Sequence, residues 1–122
     1  MSDDAPAIPI TLADGASMDE YQQYIHDLEK MHGWLGVDLV HNCFLMGEEV
    51  GELFKAVRKV NRLFEEGQST GDEAEKAARV AHVGEELVDV LNYLLAIANR
   101  LDINVEQAFR DKNAHNQTRT WT

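Results

Sequence analysis

The feature that most constrains the fold is a long stretch of chain without proline. Both prolines, Pro6 and Pro9, lie near the N-terminus, and strong helix formers fill most of the remaining sequence. Proline interrupts helices because it lacks a backbone N–H and clashes with the preceding turn. The sequence therefore predicts an all-α fold, and a chain of 122 residues is most simply one domain.

Capping signals, glycines and apolar spacing predict four helices. Ser17 and Glu20 form a capping-box pattern, Thr70 and Glu73 form another, and Asn104 is followed by Gln107 three residues later. Between these signals, apolar residues recur at spacings of three, four or seven. The predicted helices cover about 17–31, 38–66, 72–100 and 104–114. Residues 1–16 are predicted to be a flexible tail, and residues 17–122 a four-helix bundle domain.

The third predicted helix is apolar on nearly all sides from Leu87 onward. A helix with this pattern must be covered on every side. Four helices of one chain cannot easily provide that cover. The sequence therefore predicts a homo-oligomer that packs on this helix.

The charge balance excludes several kinds of partner. The formal net charge is -11, whereas a surface that binds the DNA or RNA backbone needs a basic face. No apolar run is long enough to span a bilayer, and the N-terminus does not resemble a signal peptide. Cys43 is the only cysteine, so no intrachain disulfide can form and the chain suits the reducing cytoplasm.

Two acidic pairs stand among apolar residues on predicted helices. Glu49 and Glu52 are three residues apart, and Glu86 and Asp89 repeat this spacing. On a helix, such residues lie on one face with Cβ atoms roughly 5–6 Å apart. A short connection predicts that the second and third helices run antiparallel, which allows the two pairs to face each other.

Four converging carboxylates repel one another unless protons or a cation compensate their charge. Hard divalent cations with oxygen ligands fit such a set, and the absence of Cys and His from it favours Mg²⁺, or Mn²⁺, over zinc. With 22 acidic residues in the chain, a single pair at this spacing arises easily by chance. Two pairs on facing helices are the stronger signal for a metal site.

A basic patch follows the first acidic pair and consists of Lys55, Arg58, Lys59 and Arg62. Such a patch can contact phosphate groups. Pairing with Glu65, Glu66 or solvent is the more common outcome for exposed cations on a helix, and we expect it here. His82, four residues before Glu86, is expected to serve packing or the surface rather than the metal.

Three segments form a combined motif: "EEVGEL", "EELVDVLNYLLAIANRLDINVEQAF" and "KNAHNQTR". Together they resemble the MazG-like family of all-α nucleoside triphosphate pyrophosphohydrolases, whose pattern is EExxE followed by ExxD. The resemblance extends over about residues 21–121 and is nearest to the dCTP pyrophosphatase type. It implies Mg²⁺-dependent cleavage of a nucleoside triphosphate to the monophosphate and pyrophosphate.

The resemblance also implies roles for individual residues. It places the metal ligands at Glu49, Glu52, Glu86 and Asp89, and gives Glu48 a part in binding a second metal or in activating water. Residues near the substrate would be Trp34, Tyr93, Lys112, Asn116 and Arg119. Without the family, the more common role for a tryptophan such as Trp34 is that of a core residue. Lys112 and Arg119 share one helical face if the fourth helix continues, and without the family such residues are more often ordinary surface cations.

Two other functions fit the same residues. A non-catalytic helical oligomerisation or regulatory module would keep the acidic pairs without turnover. A pyrophosphohydrolase for another phosphoanhydride, such as phosphoribosyl-ATP, would use the same acidic-helix plan. The prediction that we carry forward is a cytoplasmic, homo-oligomeric nucleotide pyrophosphohydrolase, with a tetramer favoured over a dimer by family analogy and a role in nucleotide-pool control or house-cleaning.

Overall fold

The computed structural model describes residues 9–65 and 73–120 of the chain. This part of the chain contains four helices and no strand: α1 (Met18–His32), α2 (Leu39–Glu65), α3 (Glu73–Arg100) and α4 (Val105–Thr118). The predicted all-α fold is confirmed, and α4 has 14 residues rather than the expected ten or so. The predicted capping box at Thr70 and the turn that contains it lie outside the described residues.

Local capping explains where two of the helices begin. The Ser17 hydroxyl accepts a hydrogen bond from the Glu20 backbone N–H at 3.2 Å, and Glu20 accepts one from the Ser17 N–H at 3.1 Å. The Asn104 side chain likewise accepts from the Gln107 N–H at 2.8 Å. Both caps satisfy backbone donors that have no partner within the helix. The starts predicted for α1 and α4 are confirmed.

Glycine ends α1 because the chain turns there with a positive φ. Gly33 has φ 76° and ψ 24°, a left-handed conformation that costs glycine little. Its N–H donates to the Lys30 carbonyl, and the Trp34 N–H donates to the Glu29 carbonyl. This pattern is the Schellman motif, which satisfies the last carbonyls of the helix.

The chain divides into two compact units. The terminal unit comprises Met1–Leu39 and Leu95–Thr122, and the central unit comprises Val40–Leu94. The terminal unit thus contains α1, α4 and the last turns of α3. The central unit contains nearly all of α2 and the rest of α3.

A small apolar core holds the terminal unit together. Ile25, Leu95 and Ala96 are buried and form its centre. Partly buried apolar side chains pack against this centre from α1 and from the start of α4: Met18, Tyr24, Leu28 and Val105. Burial of these residues explains why α1 presents one apolar face.

An ion pair is buried beside this core. The Arg100 guanidinium donates to both carboxylate oxygens of Glu29, at 3.1 and 2.8 Å. It also donates to the backbone carbonyls of Val37, Trp34 and Ala96. Arg100 therefore joins the end of α3 to α1 and to the segment that follows α1. A guanidinium suits this position because its five donors reach several acceptors at once.

The central unit is built on two antiparallel helices. Arg79, near the start of α3, donates to the Lys59 carbonyl at 2.7 Å, while Glu86 and Asp89 lie beside Glu49. Ten residues separate Glu49 from Lys59, and ten separate Arg79 from Asp89, so the two helices keep one register. The predicted antiparallel arrangement of α2 and α3 is confirmed.

Each of these helices carries an exposed row of apolar and glycine residues at alternating spacings of four and three. We call these rows the α2 seam and the α3 seam. The α2 seam is Val40, Phe44, Gly47, Gly51 and Phe54, and the α3 seam is Val80, Gly84, Leu87, Leu91 and Leu94. This alternation is the pattern of helices that pack along one face against another helix.

Among the described helices, none has the length and apolar content that crossing a bilayer requires.

We expect Glu29→Ala to lower the free energy of unfolding by about 3 kcal/mol, because it leaves the Arg100 guanidinium buried without its counter-charge. The matched control is Glu106→Ala, which breaks the exposed Glu106–Arg110 pair on α4 and should cost less than about 1 kcal/mol. Urea denaturation at one fixed protein concentration compares the two. Equal losses would show that burial adds nothing to the Glu29–Arg100 pair.

Candidate functional site: an acidic cluster between α2 and α3

Three carboxylates meet between the two helices of the central unit. Glu49 comes from α2, and Glu86 and Asp89 come from α3, where their spacing of three puts them on one face. One carboxylate oxygen of each lies within 4.8 Å of the others. The antiparallel register produces this convergence, because Glu49 and Asp89 stand equally far from the Lys59–Arg79 contact.

The cluster is partly shielded from solvent. The side chain of Glu86 is only 12% exposed, and its Oε2 is buried without a hydrogen-bond partner among the described residues. Glu49 is half-buried and Asp89 is exposed. A buried carboxylate oxygen without a donor is costly. Among the described residues, no hydrogen-bond donor therefore compensates the buried oxygen of Glu86.

The pKa of Glu49 reflects the burial and the negative charge around it. Partial burial, followed by the charges of Asp89, Glu86 and Glu52, raises the pKa of Glu49 above its usual value of 4.5. A hydrogen bond from protonated Glu49 to Glu86 raises the pKa further. Each cause disfavours the ionised form. Glu49 thus retains a proton to higher pH than an isolated glutamate does.

These features fit a hard divalent cation. Three carboxylates converge, one oxygen of Glu86 is buried without a hydrogen-bond partner among the described residues, and the local charge is strongly negative. Magnesium and manganese take oxygen ligands and keep several water molecules, so three carboxylates suffice to hold one ion. Glu49, Glu86 and Asp89 are the residues that would bind it.

The two other acidic residues of the predicted site lie outside this group. Glu48 and Glu52 are both exposed on α2. The charge of Glu52 still contributes to the raised pKa of Glu49, so Glu52 stands close to the cluster. An exposed glutamate among like charges gains by turning toward water, which explains why three of the four predicted ligands come together.

His82 lies beside the cluster, although the sequence pattern favoured a packing or surface role for it. Its Nε2 is 3.6 Å from Glu86 Oε1, and its Nδ1 is 3.4 Å from Glu85 Oε2. Residues four apart on a helix are neighbours. The four-residue spacing of His82 and Glu86 is the sequence signal from which this contact could be expected.

The predicted substrate residues are distributed over both units. Tyr93 is half-buried on α3 in the central unit. Trp34, Lys112, Asn116 and Arg119 belong to the terminal unit. The Trp34 ring is 50% exposed and stacks on His32 with ring centroids 4.3 Å apart. It is therefore not a core residue, which was the alternative drawn from the sequence.

The end of α4 separates Lys112 from Arg119. The helix finishes at Thr118, and Arg119 has the extended φ and ψ of -79° and 143°. The two cations were expected to share a helical face only if the helix continued through Arg119. Because the helix ends before Arg119, they do not. Between them, Asn116 is half-buried, and its Oδ1 is buried without a hydrogen-bond partner in the described part of the chain.

Comparison with known families bears directly on this arrangement. The sequence model of the MazG nucleotide pyrophosphohydrolase domain matches residues 42–120, which include the acidic cluster. The chain belongs to the MazG family. Searches among curated proteins and among solved structures return no significant match.

Membership of the MazG family agrees with the chemistry of the cluster. The family description is that of a nucleotide pyrophosphohydrolase, a hydrolase that acts on phosphoanhydrides. MazG enzymes typically depend on a metal ion, and the acidic cluster has the oxygen donors to bind one. The predicted family is confirmed.

We expect Glu49→Gln to stabilise the protein in EDTA. The pKa of Glu49 is higher in the folded chain than its usual value of 4.5, so the folded chain binds this proton more tightly than the unfolded chain does. As the pH rises from 4.5 through the raised pKa, Glu49 becomes ionised and the free energy of unfolding falls. The gain from the substitution should be absent below pH 4.5 and complete above the raised pKa. Thermal unfolding across this pH range measures it.

Glu85→Gln is the matched control, because Glu85 is exposed on α3 outside the cluster. It should not reproduce this pH-dependent gain. A divalent cation should raise the melting temperature of the unsubstituted chain more than that of Glu49→Gln, since binding to the folded state adds stability. If both variants respond to pH and cation alike, the cluster does not bind the ion.

Proposed function

We propose that the protein is a Mg²⁺-dependent pyrophosphohydrolase that converts (d)NTP to (d)NMP and pyrophosphate, with Mn²⁺ as a possible substitute for Mg²⁺. The observation that carries the proposal is the convergence of Glu49, Glu86 and Asp89 inside the MazG match. One oxygen of Glu86 is buried there without a hydrogen-bond donor in the described part of the chain. We further propose a cytoplasmic role in removing unwanted or surplus nucleotides.

The acidic residues have distinct parts in this proposal. Glu49, Glu86 and Asp89 would hold the ion, and Glu52, which lies close to them, would be a fourth ligand. When bound, Mg²⁺ neutralises charge on phosphate oxygens and lowers the pKa of bound water. Glu48, exposed near the cluster, accepts the proton of the attacking water or assists a second ion.

The reaction itself is a hydrolysis. Water adds to the α-phosphorus, the P–O bond from that phosphorus to the bridging oxygen breaks, and pyrophosphate leaves with the bonding electrons. The proton of the water passes to a base and then to solvent. Such chemistry depends mainly on positioning and on neutralising charge.

Five residues are proposed to bind the nucleotide. Trp34 offers an exposed ring face on which a base can stack. Asn116 has a buried amide oxygen that needs a donor, as a base or sugar can supply. Lys112 and Arg119 provide positive charge for phosphates, and Tyr93 contributes a hydroxyl.

The first test is pyrophosphate release from a panel of standard and modified NTPs and dNTPs, with Mg²⁺ and with EDTA. Glu49→Gln and Asp89→Asn should each lower turnover by about a hundredfold or more, because each removes a charged oxygen ligand. Glu85→Gln, outside the cluster, should retain normal turnover.

The panel also discriminates the alternatives. Release that requires Mg²⁺ and ranks the nucleotides supports the proposal and identifies the base. Activity on phosphoribosyl-ATP alone would assign a different phosphoanhydride substrate. Near-normal turnover in both cluster variants would place the metal elsewhere, and no turnover with any substrate would favour the non-catalytic module.

We also propose that the protein is a homo-oligomer, and a tetramer rather than a dimer. Glu49 stands two residues from Gly47, so it points about 200° away from the α2 seam. Asp89 stands two residues from both Leu87 and Leu91 of the α3 seam. The two seams therefore lie on opposite outer sides of the helix pair. Two separate apolar surfaces require two interfaces, as in a tetramer made of dimers.

Phe44→Glu should disrupt the interface at the α2 seam, and Leu91→Glu the one at the α3 seam, each by placing a charge among apolar contacts. Either variant should convert the tetramer to a dimer in light scattering at micromolar concentration. The control is Val57→Glu, which changes an exposed valine of α2 outside the seam. A monomeric unsubstituted protein under these conditions would refute the proposed assembly.

A further inference from the structure

A cavity bordered mainly by cationic side chains lies between α2 and α3 in the central unit. It has a volume of about 470 Å³ and is bordered by Ala56, Lys59 and Arg62 from α2 and by Glu75, Arg79 and His82 from α3. A small side chain at Ala56, which is almost completely buried, leaves room for this cavity. The residues of the proposed catalytic cluster do not border it.

The border of the cavity is cationic in a chain whose net charge is -11. Lys59, Arg62 and Arg79 bring three positive charges, and Glu75 brings one negative charge. Arg79 is paired with Glu75 and donates to the Lys59 carbonyl, so it holds a defined position. Arg79 on α3 thus lies beside two cations of the basic patch on α2, a contact that the sequence pattern did not indicate.

The remaining two cations have no ion pair among the described residues. The ion pairs found there do not include Lys59 or Arg62. The pairing partners expected from the sequence, Glu66 and the side chain of Glu65, lie outside the described part. Two flexible cations beside a fixed guanidinium form a suitable site for a small, multiply charged anion.

The cavity adjoins the acidic cluster along the same two helices. Ala56 comes one turn, about 6 Å, after Glu52 on α2. His82 borders the cavity and also lies 3.6 Å from the Glu86 carboxylate. Along the same pair of helices, the acidic cluster, which favours a cation, is therefore followed by a cavity that favours an anion.

We infer that this cavity binds the pyrophosphate part of the substrate, the β and γ phosphates of a nucleoside triphosphate, and then the pyrophosphate product. The inference rests on the proposed function, since cleavage between the α and β phosphates releases a strongly charged anion next to the acidic cluster. Lys59 and Arg62 neutralise that anion directly. Arg79, held by Glu75, adds a planar pair of donors.

The test is a calorimetric titration of the full chain with inorganic pyrophosphate in the presence of Mg²⁺. The double variant K59Q/R62Q should weaken pyrophosphate binding by about tenfold or more, because it removes two charge-assisted contacts. R58Q is the matched control: Arg58 is a neighbouring cation on α2 that does not border the cavity, and its loss should change the affinity by less than about twofold. Circular dichroism verifies that both variants remain helical.

Nucleotide hydrolysis by the same proteins separates this inference from the proposed function. A raised KM for the triphosphate in K59Q/R62Q, but not in R58Q, supports the cavity as the phosphate site. Equal pyrophosphate affinity in all three proteins, or no binding by the unsubstituted chain, overturns the inference even if hydrolysis is normal. If no nucleotide is hydrolysed, the proposed function fails, while the pyrophosphate titration still decides the role of the cavity.

Discussion

The mutual repulsion of carboxylates between α2 and α3 is the constraint on which the central unit depends. Two helices in antiparallel register bring Glu49 against Glu86 and Asp89, and burial prevents water from fully screening their charges. Such a contact costs free energy unless a proton or a cation enters it. The raised pKa of Glu49 and the unpartnered oxygen of Glu86 are two expressions of this single shortage of positive charge.

The terminal unit balances its buried charge within the chain. Glu29 is buried, as the carboxylates of the cluster partly are, but Arg100 supplies two hydrogen bonds and the opposite charge. Among the described residues, no arginine or lysine forms an ion pair with the acidic cluster. A buried glutamate is thus paired internally in the terminal unit, whereas the acidic cluster has carboxylate oxygens that could bind an external cation.

Along α2 and α3 of the central unit, a negatively charged cluster is followed by a cavity bordered mainly by positive charges. The acidic cluster gives way, within about one helical turn, to the cavity bordered by Lys59, Arg62 and Arg79. A metal-bound triphosphate has the matching order of charge, a cation followed by a polyanion. The exposed α2 and α3 seams lie on the outer sides of the same two helices, away from the acidic cluster.

The sequence by itself determined the features that depend on neighbours along the chain. The capping box at Ser17, the cap at Asn104 and the helical spacing of the acidic pairs follow from local hydrogen bonding and helical periodicity. Only the tertiary structure decided which carboxylates converge, why Glu52 remains exposed, and how Arg79 completes a cationic cavity with Lys59. Those outcomes depend on the register between helices and on burial, and both arise from contacts between residues far apart in the chain.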